Sequence, residues 1–313
     1  MLSRTAANLY WLSRYIERAE NTARIIGTAA RLSSLPSHYG GTTNEWESAV
    51  ASTGSTDAFY RLYDTANRRN VIEFLAFSDE NPSSIRNCFE VARSNARAVR
   101  TAITIEMWQT INDAWHELHR TSNVPRSDDR LNDFLTWVQG VSLAFDGSAY
   151  RTMLRSDAYW FSRLGVHLER ADSTARILDV KYHVLLPPNE PVGGSLDYFQ
   201  WSAILRSVSA LTSYHWVYKE SLKPWLVADL LILRKEMPRS ISNCYENVSV
   251  FLDRLSRDYG RQGPSQRMVR EIFAKLQNTD IEIIFQDGLH EFVEDIIAQN
   301  NRMGATITEQ YLI

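Results

Sequence analysis

The sequence predicts an all-α protein made of two tandem, diverged helical-bundle repeats packed as one body, and three observations predict it. Apolar residues recur at the helical period, and no stretch alternates convincingly enough to read as a strand. Helix breakers are sparse, with 13 Gly and 9 Pro among 313 residues. Finally, five short anchors in the first half return in the same order 152 to 158 residues later.

The longest anchor is Glu17-Arg18-Ala19-Glu20-Asn21-Thr22-Ala23-Arg24-Ile25. It returns as Glu169-Arg170-Ala171-Asp172-Ser173-Thr174-Ala175-Arg176-Ile177. Gly40-Gly41 returns as Gly193-Gly194, and Trp46 as Trp201. The segment from Pro82 to Glu90 returns as Pro238 to Glu246, and Leu131 to Phe134 as Leu289 to Phe292. Five collinear matches with so little drift set two units, residues 1–150 and 151–313, an arrangement compatible with pseudo-twofold symmetry. No Pro/Gly-rich linker separates them; the junction reads as helix or a short turn.

The first helix is expected from about Ser3 to Ser33. At 100° per residue, Leu9, Leu12, Ile16, Ala19, Ala23, Ile26 and Ala30 share one side, and Tyr10, Arg14, Glu17, Glu20, Asn21 and Arg24 share the other. Pro36 and two glycines end it. Shorter helices are expected near 44–53, 55–66 and 69–78. Pro82 with two serines opens a fresh helix that stays helical to Arg120, with room for one break. Leu131 to Ala149 closes the unit. The second unit repeats the plan behind a longer Pro-rich loop, ending in helices near 264–278 and 281–302.

Composition narrows the function classes. A net charge of −3 points to neither nucleic acid nor an anionic membrane. The longest apolar run, Trp225 to Leu233, contains Asp229 and is too short to span a bilayer. The N-terminus has no continuous apolar core of a secretory signal. The two cysteines, Cys88 and Cys244, argue against a disulfide framework, so a cytoplasmic location is expected. Phosphate-binding glycine loops, a nucleophile elbow and Cys-x-x-Cys are all absent, so no cofactor is expected. His116-Glu117-Leu118-His119 lacks the spacing of a zinc helix, and no metal is expected. Each cysteine sits near a helix start, where a thiolate is stabilised, but its apolar neighbours favour a small buried packing residue.

The candidate site is the pair of charged stripes. Glu17, Arg18 and Arg24, flanked by Arg14, Glu20 and Asn21, match Glu169, Arg170 and Arg176 with Asp172 and Ser173; Arg163 is a further candidate. As a solvated face, each i, i+4 pair such as Glu20–Arg24 contributes only about 0.2–0.5 kcal/mol. Exposed charges drift freely between diverged copies, whereas these are retained. The stripes therefore either form a buried ionic network between the units or line a shared cleft. Such a cleft could clamp a carboxylate with arginines and an amine with carboxylates. The residues leave both open. Tyr10-Trp11 and Tyr159-Trp160 precede the stripes and read first as core packing, with an aromatic wall beside the stripe as the alternative.

The run Tyr15-Ile16-Glu17-Arg18-Ala19-Glu20-Asn21-Thr22-Ala23-Arg24, just after Asn8-Leu9-Tyr10-Trp11-Leu12-Ser13-Arg14, closely resembles the bacterial alpha-E family. His167-Leu168-Glu169-Arg170-Ala171-Asp172-Ser173-Thr174-Ala175-Arg176 fits the same pattern. The resemblance implies an all-helical domain with a Glu-Arg motif and assigns no catalytic residue. It also implies partners: a circularly permuted ATP-grasp ligase and a transglutaminase-like peptidase, in an ATP-dependent system that makes, tags or processes peptides. Three functional readings follow. The chain is an accessory subunit of the ligase, not an enzyme in isolation; or an enzyme or binding protein whose stripes form an amino-acid or peptide site; or a structural helical scaffold.

Overall fold

The computed structural model describes residues 1–34, 45–121, 124–125, 127–183 and 194–313. Among them the chain is all helical, with no strand. The first half holds α1 (Ser3–Ser33), α2 (Glu45–Ser52), α3 (Thr56–Tyr60), α4 (Arg68–Ile72), α5 (Ile85–Ala98), α6 (Ile105–Arg120) and α7 (Asp128–Thr152). The second holds α8 (Asp157–His183), α9 (Ser195–Ser207), α10 (Leu211–Tyr218), α11 (Pro224–Ile232), α12 (Ile241–Tyr259), α13 (Pro264–Gln277), α14 (Ile281–Asp287) and α15 (Leu289–Ile307). The Pro36 break and the Gly40-Gly41 and Gly193 anchors lie outside the described residues.

The first helix spans the expected residues, since nothing between Ser3 and Ser33 interrupts the ladder. The helix expected over 55–66 stops at Tyr60, and the one expected over 69–78 widens into a π-helical turn at Glu73–Phe77. Ser84 and Ser240 cap α5 and α12 in the same way, each side chain accepting from the backbone three residues on, Asn87 N at 3.1 Å and Asn243 N at 3.0 Å. The last helical stretch breaks at Gly288, whose φ of +106° a side chain rarely adopts.

Two long helices form the centre. α1 packs most extensively against α8, and then against α5 and α7; α8 packs against α12 and α15. Contacts advance together along α1 and α8, from Met1–Asp157 through Ser13–Ser162 to Glu17–Arg170, so the two run side by side in the same direction. The arms also cross: α2 reaches α8, and α9 reaches α1.

The charged stripe of α1 is not a solvated face. Tyr10, Arg14, Glu17, Glu20, Asn21 and Arg24 are all buried, because the polar side of α1 faces α8 and its neighbours while the apolar side enters the core. The approach is close at Gly165, where a Cβ would lie 2.3 Å from the Tyr10 carbonyl oxygen. Beside it the Ser13 and Ser162 hydroxyls hydrogen-bond at 2.8 Å.

Gly165→Ala is therefore expected to lower stability by about 1–3 kcal/mol, because the backbones must separate. Gly140→Ala in α7, with open space around its Cα, is expected to be neutral or to stabilise by up to about 1 kcal/mol. Urea denaturation of the two variants against the parent chain checks both, and equal effects would contradict the close approach.

Candidate functional site

The parallel α1–α8 pairing brings both stripes into one buried network. Arg170 donates Nε to Glu17 Oε1 at 3.0 Å and Nη2 to Oε2 at 2.8 Å. Reciprocally, Arg18 donates Nε to Glu169 Oε1 at 2.6 Å and Nη2 to Oε2 at 3.1 Å. Each Glu-Arg dipeptide thus meets the other in two forked, charge-assisted pairs. In each dipeptide the arginine lies about 100° round from the glutamate, at the edge of the stripe, and there it reaches across the seam.

The outer charges tie this pair to the arms. Arg24 donates Nε and Nη2 to Glu20 Oε1 at 2.8 and 2.6 Å, and Nη1 to the Ser207 carbonyl in α9. Arg176 donates Nε to Asp172 Oδ2 at 2.6 Å and Nη1 to the Ser52 carbonyl in α2 at 2.9 Å. Both i, i+4 pairs expected from the sequence therefore exist, but as buried anchors rather than solvated ones.

Arg239, just before the cap of α12, lies outside both stripes in the sequence. It contacts Glu17 Oε1 at 3.3 Å and donates to Glu20 Oε1. Its place in the recurring Pro82 and Pro238 anchors is held by Ser83 in the first half, so no shared charge marked it. Arg14 provides Glu169 with its second arginine, Nε to Oε2 at 2.7 Å, and lies over the Trp11 ring at 5.0 Å. Tyr10 and Tyr159 are buried in the core, and Trp160 stacks on Phe251. Arg163 stays outside the network: it turns to Asp146 and to His167 Nε2. Ser173 is buried on α8 without joining it. Asn21 is buried with Oδ1 unpartnered among the described residues, as is Asp172 Oδ1.

Burial alone would raise the two motif carboxyls. The arginines outweigh it, Arg170 and Arg239 around Glu17 and Arg18 and Arg14 around Glu169, and hold each at about 2. Carboxyls so firmly ionised are poor proton donors near neutral pH. Burial also pushes the Cys88 and Cys244 thiols up to about 12, although Arg18 and Arg170 oppose it. His167 is pushed well below 6.5 by burial, with Arg163 and Arg170 adding to the effect. Its Nε2 accepts from Arg163, and Nδ1 has no partner among the described residues. His119 lies on Trp115 with Nδ1 near the Trp115 carbonyl, and no metal-holding group of His, Cys, Asp and Glu occurs among the described residues.

A polar cavity of about 190 Å³ opens beside the network, lined by Arg14, Arg18, Asn21, Glu169, Asp172 and Arg176 together with Ser83 and side chains of the α2–α3 turn.

Two predictions follow from the buried charges. Glu17→Gln leaves Arg170 without its anion and removes one of the two that hold Arg239, and is expected to cost about 3–5 kcal/mol. Asp128→Asn, which breaks an exposed pair with Arg68, is expected to cost under about 1 kcal/mol. Chemical denaturation distinguishes the two, and similar losses would refute the buried network. Stability is also expected to fall with acid in two stages. His167 binds its proton only when unfolded, so stability present above pH 6.5 is lost below it. The lowered Glu17 and Glu169 carboxyls contribute stability above their ordinary value of 4.5, and it is lost as pH falls toward 2. Melting temperatures across that range check the order.

Comparison with known proteins agrees with this motif. The uncharacterized proteins Mb2597 of Mycobacterium bovis and Rv2567 of Mycobacterium tuberculosis are each 22% identical to the chain over 315 residues. The matches cover 94% of this chain but 35% of the relatives, so the chain spans about a third of their length. No solved structure matches. A family model described as a predicted alpha-helical domain with a conserved ER motif matches residues 1–312. With its two Glu-Arg pairs closed on one another across α1 and α8, the chain belongs to the Alpha-E family.

Proposed function

We propose that this chain is a non-catalytic helical partner of a circularly permuted ATP-grasp ligase, in a cytoplasmic system that makes, tags or modifies peptides. It is two diverged copies of one unit, residues 1–150 and 151–313, joined at the α1–α8 seam. The carrying observation is that the Glu-Arg motif is spent internally. Both carboxylates are held ionised by arginines, so the motif offers no acid at neutral pH, and its role is to hold the two helices together. The length of the mycobacterial relatives supports the reading, because there the matching region accompanies about twice as much further chain. A transglutaminase-like peptidase is the second expected member of the system. A ligand-binding role of its own is the other reading, and the polar cavity beside Arg18 and Glu169 favours it.

The test is ATP turnover by a circularly permuted ATP-grasp ligase encoded with this chain, supplied with amino acids and short peptides. Turnover is expected to depend on this chain, with association by calorimetry on the order of tens of micromolar or tighter. Turnover indifferent to the chain, together with no measurable association, would overturn the partnership.

A further inference from the structure

The two halves of the charged network end differently. In one, Arg239 enters from the start of α12 and places its guanidinium against Glu17 and Glu20. In the other, the matching position before α5 is Ser83, and a cavity of about 190 Å³ remains between it and the α8 acids. Arg14 supplies a second arginine to Glu169, so that carboxylate has three N–H donors. Nothing does the same for Asp172. Arg176 binds only its Oδ2, while Oδ1 has no partner among the described residues. Asn21 Oδ1, on the same cavity wall, has none either, and both residues are buried. A buried acceptor without a donor is costly.

The charges add a second requirement. Arg14, Arg18 and Arg176 face Glu169 and Asp172, an excess of one positive charge. Arg18 spends Nε and Nη2 on Glu169, and among the described residues Nη1 remains for an anion. The cavity therefore asks for N–H donors at Asn21 and Asp172 and for a carboxylate beside the arginines. One small molecule carries both groups a bond or two apart. We propose that this cavity binds a small α-amino acid as its zwitterion, the ammonium donating to Asn21 Oδ1 and Asp172 Oδ1 and the carboxylate accepting from Arg18.

The site is read from the isolated chain, so it stands whether or not the ligase partnership does. The experiment is calorimetry on the full chain with glycine, alanine and serine, each compared with its N-acetyl and its carboxamide derivative. At least one free amino acid is expected to bind, and loss of either charged group is expected to weaken it about tenfold or more. Asp172→Asn is expected to weaken binding by a similar factor. Ser83→Arg is expected to abolish binding and raise the melting temperature, by placing in this half the guanidinium that Arg239 provides in the other. Absence of binding by all three, undiminished binding of the acetylated or amidated forms, or unchanged binding by folded Ser83→Arg would each overturn the assignment. Should Ser83→Arg not fold, the derivative series on the parent chain decides alone.

Discussion

Two parallel helices that present the same dipeptide to each other can satisfy it completely, and the rest of this molecule is arranged around that fact. When Glu17 meets Arg170, the same geometry brings Arg18 to Glu169. The arrangement has the logic of a twofold interface, in which each contact occurs twice. Removing four charges from water is expensive, and forked hydrogen bonds at short range are what make it tolerable. The close approach at Gly165 and the Ser13–Ser162 hydrogen bond place the helices near enough for those forks to form.

From this centre the charges propagate outward as ties to the arms. Arg24 holds the end of α9 through Ser207, and Arg176 holds α2 through Ser52. Each arm is thereby fixed to the central helix of the opposite half. The reciprocity stops at the outer edge. Arg239 fills one corner, Arg14 partly fills the other, and Arg163 is drawn away to Asp146. A polar pocket lies where a small serine stands at the position that Arg239 holds in the other half.

The chemistry available to the chain follows from the same burial. The thiols of Cys88 and Cys244 are buried and held protonated, and the motif carboxylates are saturated by arginines. Among the described residues no helix is long and apolar enough to cross a membrane. Beside the network lies a corner of mixed charge, lined by Arg18, Arg176, Glu169 and Asp172.

The sequence by itself determined the helical class, the span of α1, the capped starts of α5 and α12, and the recurrence of the Glu-Arg stripes. Those features rest on local periodicity, capping and recurrence, which neighbouring residues carry. It did not determine that the polar face of α1 is buried, because a helical wheel shows which residues share a side and never what that side meets. Arg239 was invisible for a related reason: its partners Glu17 and Glu20 lie more than two hundred residues away, and Ser83 at the matching position erased any shared charge. The choice between a shared cleft and a buried network was likewise tertiary. It depended on the separation and direction of α1 and α8, which Gly165 permits but does not announce, since a glycine inside a helix signals close packing only once the neighbouring backbone is in place.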